Sequence, residues 1–200
     1  MLLDFNRLKK LYGLSKNLSL QDIQILLKEA KIQSFDPGEF IYKEGSYDRT
    51  VYFIQQGLIR NYLANDKGED ITTWLRWEDQ IFVNIDALLF EQPSRYFAQA
   101  VEPTQTLCLN FDVAQEIAQK NPKLEENRKY ILREIIKSTL RHAESFMLYS
   151  PEDRYLNYIR QHPDIVNRVP DKYIAGILGI TPVSLSRIRK RIASKDVQKS

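Results

Sequence analysis

Residues that bind metals or form disulfides are scarce in this 200-residue sequence, which has one cysteine and two histidines. Cys108 alone cannot make a disulfide within one chain, and it excludes a site built only from thiolates. His142 and His162 are too far apart in sequence for a ligand pair at short spacing. Neither a Gly-x-Ser-x-Gly elbow nor a phosphate-cradling glycine loop is present. We therefore expect a protein without catalytic residues, metal or cofactor.

Long hydrophobic runs are also missing. The longest runs of apolar or aromatic residues are four residues long, as at 51–54 and 87–90, whereas a membrane-spanning helix needs about 20. Asp4, Asn6 and Arg7 interrupt the first residues before they could form an export signal. The sequence predicts a cytoplasmic protein with no membrane partner.

The charge is small overall and uneven along the chain. The net charge is +3, but residues 170–200 contain seven basic and two acidic residues, a net +5, which leaves −2 for residues 1–169. A basic tail on a mildly acidic body is typical of a protein that binds a polyanion. The same charges also fit a solvated helix end, where cations favour the helix dipole.

Residues 19–111 predict a helix followed by a β-rich region. Ser19 and Asp22 resemble a capping box, and the apolar positions after them predict a helix that ends near Lys31. From about residue 32 to 111 the pattern changes to short β segments separated by turn residues. Their regular spacing favours a sandwich or jelly-roll barrel over a parallel sheet. The candidate strands are 39–43, 50–54, 58–63, 70–77, 95–101 and 106–110.

A long helix is predicted next. From Asn121 and Pro122 to Leu148, apolar residues recur every three or four positions, which at 1.5 Å per residue gives a helix about 40 Å long. We expect a homodimer through the part of the helix around Leu124–Met147, because a long apolar seam left in water is costly. The alternative is that the helix packs only on its own barrel. The domains are then 1–148, with a dimerisation helix at about 112–148, and 149–200.

The last thirty residues predict two short helices joined by a tight turn. Ile174–Leu178 form the first helix, Gly179 its left-handed end, and Thr181 and Pro182 the start of the second. This arrangement is a helix-turn-helix. Leu185, Ile188 and Ile192 point inward, which leaves Val183 and a polar set outward. The candidate DNA-binding residues are Thr181, Ser184, Ser186, Arg187, Lys190 and Arg191.

In this order, the segments resemble the Crp/Fnr family of transcription regulators. Residues 37–45, 51–57 and 68–69 resemble its cyclic-nucleotide-binding barrel, and residues 174–181 and 185–190 resemble its helix-turn-helix. The resemblance implies an α+β protein with an N-terminal double-stranded β-helix (jelly-roll) barrel, a long dimerisation helix and a C-terminal winged-helix-like helix-turn-helix domain. It implies a dimeric, sequence-specific DNA-binding regulator whose partners are double-stranded DNA, a second copy and RNA polymerase.

Two departures from the family pattern matter. Members that respond to cyclic AMP hold the ribose and phosphate with a Gly-Glu pair and an Arg-Ser pair, and this chain has Val83-Asn84 and Ser94-Arg95 in those places. A phosphate without its countercharge is costly to bury, so these four candidate pocket residues do not predict the usual binding of cyclic AMP. The effector stays unknown. Pro182 and Val183 replace an Arg and a Glu of the family's recognition helix.

Two alternatives stay open at this stage. One is a ligand-binding barrel protein or adaptor whose basic tail contacts protein instead of DNA. The other is a cupin-like metalloenzyme, which would need ligands converging inside the barrel, although both histidines lie outside the barrel segment.

Overall fold

The structure is a computed structural model that describes residues 18–197, without the side chains of Leu20 and of residues 195–197. It consists of two compact units: residues up to Asn61 together with Leu75–Lys137, and Tyr62–Trp74 together with the residues from Ser138 on. The polar residues that argue against an export signal, and the tail cations Lys195 and Lys199, lie outside the described residues or side chains.

Over residues 18–197, eight strands form two four-stranded sheets. The strands are β1 (Lys31–Phe35), β2 (Phe40–Tyr42), β3 (Thr50–Gln56), β4 (Leu58–Ala64), β5 (Asp70–Trp77), β6 (Ile81–Val83), β7 (Phe97–Ala100) and β8 (Thr104–Asn110). The orders within the sheets are β1-β8-β3-β6 and β2-β7-β4-β5, with antiparallel pairing of β8 with β1 and β3, of β3 with β6 and of β2 with β7. Two sheets of this kind confirm the α+β jelly-roll prediction.

The sequence-based set of strands lacked β1 and β6, the two edge strands of the first sheet. In β1 only Phe35 is buried, so the segment has no alternation of apolar and polar residues to detect. β6 is only three residues long. The preceding helix, α1 (Leu20–Glu29), ends before Lys31 because Lys31 already pairs with Cys108 in the sheet. The capping box is confirmed: the Ser19 hydroxyl accepts from the Asp22 amide at 3.2 Å.

Aromatic side chains fill the space between the two sheets. Tyr42 stacks on Phe82 with ring centroids 5.7 Å apart, and Tyr52 lies 5.9 Å from the same ring. Both hydroxyl groups have acceptors: Tyr42 donates to Asn61 at 3.3 Å and Tyr52 to Asp48 at 2.9 Å. Burial raises the pKa of both phenols far above the usual value. The part of the barrel interior around Tyr42, Tyr52 and Phe82 is therefore a packed core.

The helical segment expected over 112–148 is divided into α3 (Phe111–Gln119) and α4 (Pro122–Leu148). Proline has no N–H to donate and disfavours helical backbone at the residue before it, so the helix is interrupted before Pro122, at Asn121. The Asn121 side chain accepts from the Lys123 amide at 3.1 Å and donates to Asp22 at 3.0 Å. Hydrogen bonds from Ser19 and Asn121 hold the pKa of Asp22 at about 2.

After α4 the chain forms α5 (Pro151–Gln161), a 3₁₀ turn (Ile165–Asn167), α6 (Asp171–Ile177) and α7 (Pro182–Val197). Ser150 caps α5 as predicted, accepting from the Asp153 amide at 3.2 Å. A short helix, α2 (Ile85–Leu89), follows β6 in the barrel. Among the residues described, no helix has the length and apolar character needed to cross a membrane. The core of the helical unit includes Tyr155, Ile165, Ile174, Leu185 and Ile188.

Candidate nucleic-acid interface and barrel site

The turn between α6 and α7 is fixed by backbone hydrogen bonds. The Ile180 amide donates to Ala175 and the Gly179 amide to Gly176, both at 3.0 Å, which is the Schellman arrangement at a helix end. Gly179 has a φ of +63°, as its predicted left-handed role requires. A Cβ there would lie 2.6 Å from the Phe146 ring, so glycine is required by both backbone and packing.

The first turn of α7 is capped by Thr181. Its hydroxyl accepts from the Ser184 amide at 3.1 Å and lies 3.0 Å from the Ser184 hydroxyl. Two of the six candidate DNA-binding side chains therefore hold the helix end together. The N-terminus of a helix also favours a phosphate.

The outer face of α7 is exposed and carries two cations. Ser186, Arg187 and Lys190 lie on it with Val183, while Leu185 and Ile188 are buried on the opposite face. Among the described residues, the Arg187 and Lys190 side chains have no hydrogen-bond or ion-pair partner. Their charge is available to an external anion.

The other two arginines of α7 pair within the chain. Arg191 reaches Glu152 at 2.8 Å, and Arg189 reaches Asp171 at 2.7 Å and the Tyr155 hydroxyl at 3.0 Å. Burial lowers the pKa of Arg189, but the hydrogen bonds that its guanidinium donates to Tyr155 and Asp171 outweigh this effect and keep the pKa above the usual value. Arg191, a candidate DNA-binding residue, thus lies on the flank of α7 with its charge balanced by a carboxylate.

Arg154 is a positioning residue that sequence reasoning missed. It donates to the Leu178 carbonyl at 2.9 Å and 3.1 Å and to the Tyr149 carbonyl at 2.9 Å. Its guanidinium also lies 4.8 Å from the centre of the Phe146 ring. It therefore joins the ends of α4 and α6, satisfying carbonyls that a helix end leaves without partners. No spacing in the sequence marks this contact.

The four candidate pocket residues of the barrel do not converge on one cavity. Val83 lines an apolar cavity of about 220 Å³ together with side chains from α1, α3 and α4. Asn84 is buried and caps α2, accepting from the Ala87 amide at 3.4 Å. The buried Ser94 hydroxyl donates to the Tyr96 carbonyl at 2.9 Å. Arg95 is 68% exposed and precedes β7.

Asp86, which sequence reasoning also missed, binds Arg95. The buried carboxylate of Asp86 accepts from the Arg95 backbone amide at 2.9 Å and from its guanidinium at 2.9 Å and 3.1 Å. Burial alone would raise the pKa of Asp86, but the hydrogen bonds and charge of Arg95 lower it. The cation that could pair with a ligand phosphate already has an internal anion. The signal was an aspartate two residues after a helix cap, where carboxylates are common.

Two buried polar atoms next to this pair have no partner among the described residues. They are the Asn84 side-chain amide nitrogen and the Ser46 hydroxyl oxygen. Ser46 is linked to the same loop, because its carbonyl accepts from the Ser94 amide at 2.9 Å. The Asn84 amide nitrogen and the Ser46 hydroxyl are therefore the polar groups of this region that the described residues leave unsatisfied.

An apolar seam runs along α4 on the side away from the cavity. Ile136, Leu140 and Met147 lie on one side of the helix and are 49%, 56% and 84% exposed. Ile131 and Ile135, on a different side, line the apolar cavity. One side of α4 is therefore partly buried against its own chain, and another presents large apolar side chains to solvent.

Comparisons with known proteins found a matching domain family and several curated relatives. The cyclic nucleotide-binding domain family matches residues 32–121. The fumarate and nitrate reduction regulatory protein of Vibrio cholerae is 30% identical over 111 residues, covering 55% of this chain and 41% of that protein. The chain spans between 38% and 51% of the length of the first curated relatives it matches.

Solved structures share the fold. FixK2 from Bradyrhizobium japonicum has a TM-score of 0.73 at 16% identity, covering 84% of this chain and 86% of that one. The catabolite activator protein of Thermus thermophilus has a TM-score of 0.57 at 18% identity, covering 92% and 88%.

The curated relatives bear on the choice between an enzyme and a regulator. They are regulatory proteins and not enzymes, in agreement with the expectation of a non-enzymatic chain. Over residues 18–197, no three His, Cys, Asp or Glu side chains come close enough to hold a metal ion. A cupin-like metalloenzyme would need such a cluster.

Proposed function

Because the chain belongs to the Crp/Fnr family of transcription regulators, we propose that it acts as a homodimer that binds a nearly palindromic DNA site. The observation that carries the proposal is the outer face of α7, where Arg187 and Lys190 have no partner among the described residues. Arginine can bind a guanine edge with two hydrogen bonds, and lysine can neutralise a backbone phosphate.

The seam on α4 supports the dimer. Ile136, Leu140 and Met147 recur on one side of the helix, and burying them against a second copy would remove a large apolar surface from water. Twofold symmetry then places two copies of α7 in successive major grooves, about 34 Å apart. Contact with RNA polymerase and action in the cytoplasm belong to the same proposal.

The barrel serves as a dimer scaffold that does not hold cyclic AMP in the usual way. The Arg95 guanidinium already forms an ion pair with Asp86. Asn84, which caps α2, takes the place of the carboxylate that accepts from the ribose in members that respond to cyclic AMP. Tyr42, Tyr52 and Phe82 fill the space between the sheets. A nucleotide phosphate would therefore have to displace the buried Asp86 carboxylate from the Arg95 guanidinium to bind.

Binding-site selection from random duplexes, followed by mobility shifts at physiological salt, tests the DNA-binding role. We expect a palindromic consensus with half-sites about 10 base pairs apart. Arg187→Ala should lower the discrimination against bases that replace the contacted guanine about fivefold or more, since a good bidentate contact is worth about 1–3 kcal/mol. The matched control is Lys120→Ala, an exposed cation in the other unit, which should leave the consensus and its affinity unchanged.

Equal, salt-dependent affinity for every duplex would contradict the proposal. Selection without a consensus would instead favour an adaptor whose basic tail contacts protein.

A further inference from the structure

Val183 is the one large apolar side chain on the outer face of α7 over residues 182–194, and it is 61% exposed. It lies in the first turn of the helix. Ser186, Arg187 and Lys190 follow it by three, four and seven positions, so they share its face. Because Val183 is exposed among polar and cationic side chains, it adds little hydrophobic stabilisation to the fold of its own chain.

The major groove of DNA presents one group that an exposed valine can contact. The N-terminal residues of a recognition helix approach base edges, and the one apolar group presented there is the 5-methyl of thymine. Valine has no hydrogen-bonding atoms and a stiff side chain, so it can contact a methyl group with little loss of rotamer freedom. A cytosine at the same place would present an amino donor that valine leaves without an acceptor.

We propose that Val183 is a specificity-determining residue that contacts the methyl group of one thymine in each half-site, beside the guanine bound by Arg187. The inference rests on the proposed DNA-binding function. It predicts that the thymine is recognised through its methyl group and not through hydrogen bonds.

Replacing thymine with uracil tests this contact because it removes only the methyl group. In the selected site, each thymine is replaced symmetrically by deoxyuridine, one position at a time, and the Kd is measured for the full-length protein. At one position the wild type should bind about fourfold more weakly for each half-site, the effect of one buried methyl-sized group. A 5-methylcytosine there should bind more tightly than cytosine.

The variant Val183→Ser should bind the thymine and uracil duplexes equally, because it has lost the apolar partner. The matched control is Ile71→Ser, an exposed apolar residue on β5, which should keep the full uracil penalty.

Two different failures can be told apart. If the wild type selects a consensus but tolerates uracil at every position, or if Val183→Ser keeps the penalty, this inference is wrong and the proposed function stands. If the wild type selects no consensus, the proposed function fails and the inference falls with it.

Discussion

Arg95 and Asp86 show how one carboxylate can decide what a basic residue binds. The guanidinium is largely exposed, yet it is held by a buried anion two residues beyond the cap of α2. Because Arg95 lowers the pKa of Asp86, the pair stabilises the fold above the ordinary pKa of an aspartate. This contribution is lost as the pH falls through the lower folded value.

Asp86→Ala should lower the free energy of unfolding by about 1–2 kcal/mol, a modest value because the guanidinium is solvent-screened. It should also free Arg95 to bind anions. In thermal melts at matched ionic strength, inorganic phosphate should raise the Tm of Asp86→Ala more than that of the wild type.

The double variant Asp86→Ala with Arg95→Ala serves as its control and should lose the phosphate response. A wild type stabilised by phosphate or cyclic AMP as strongly as Asp86→Ala would contradict the view that the site is occupied internally.

At the scale of elements, the helix-turn-helix depends on how α6 ends. The Schellman hydrogen bonds and the left-handed Gly179 set the direction in which α7 leaves the turn. Arg154 holds the carbonyl of Leu178, and Phe146 packs against the glycine. The exposed face of α7 is therefore oriented by residues that do not lie on it.

Gly179→Ala should destabilise the protein by about 2–3 kcal/mol, because alanine is strained at positive φ and its Cβ would meet the Phe146 ring. Gly68→Ala is the matched comparison. Gly68 has a φ of +76° but nothing within 4 Å of its Cβ position, so only the backbone strain of about 1 kcal/mol remains. Chemical denaturation measures both, and equal losses would mean that the packing on Phe146 is unimportant.

At the scale of the whole molecule, the seam on α4 is the surface that most needs a partner. Met147, Leu140 and Ile136 are far more exposed than apolar side chains facing a core. A second copy is the natural cover for a self-complementary helix, since twofold pairing buries the same residues on both sides.

Leu140→Glu should dissociate the proposed dimer, because two copies would bury unpaired carboxylates at the seam, at a cost of about 3 kcal/mol or more. Ser138→Glu is the control: it adds the same charge at an exposed position of α4 away from the seam. Sedimentation equilibrium should show a monomer for the first variant and a dimer for the second. A Leu140→Glu protein that stays dimeric would place the interface elsewhere.

Several features of the chain followed from local sequence patterns. The barrel, the caps at Ser19 and Ser150 and the left-handed Gly179 were all predictable. Turn chemistry, capping and hydrophobic period act over a few neighbouring residues, so the sequence displays them directly. Edge strands such as β1 lack that period and were missed.

Only the tertiary structure decided which charges remain available. Asp86 and Arg95 are nine residues apart, and Arg191 and Glu152 are 39 apart, so no local pattern reveals that either pair forms. Folding brings these groups within hydrogen-bond distance and leaves Arg187 and Lys190 without described partners. The sequence determines which residues are cations, but long-range packing determines whether the charge of each one is available to an external anion.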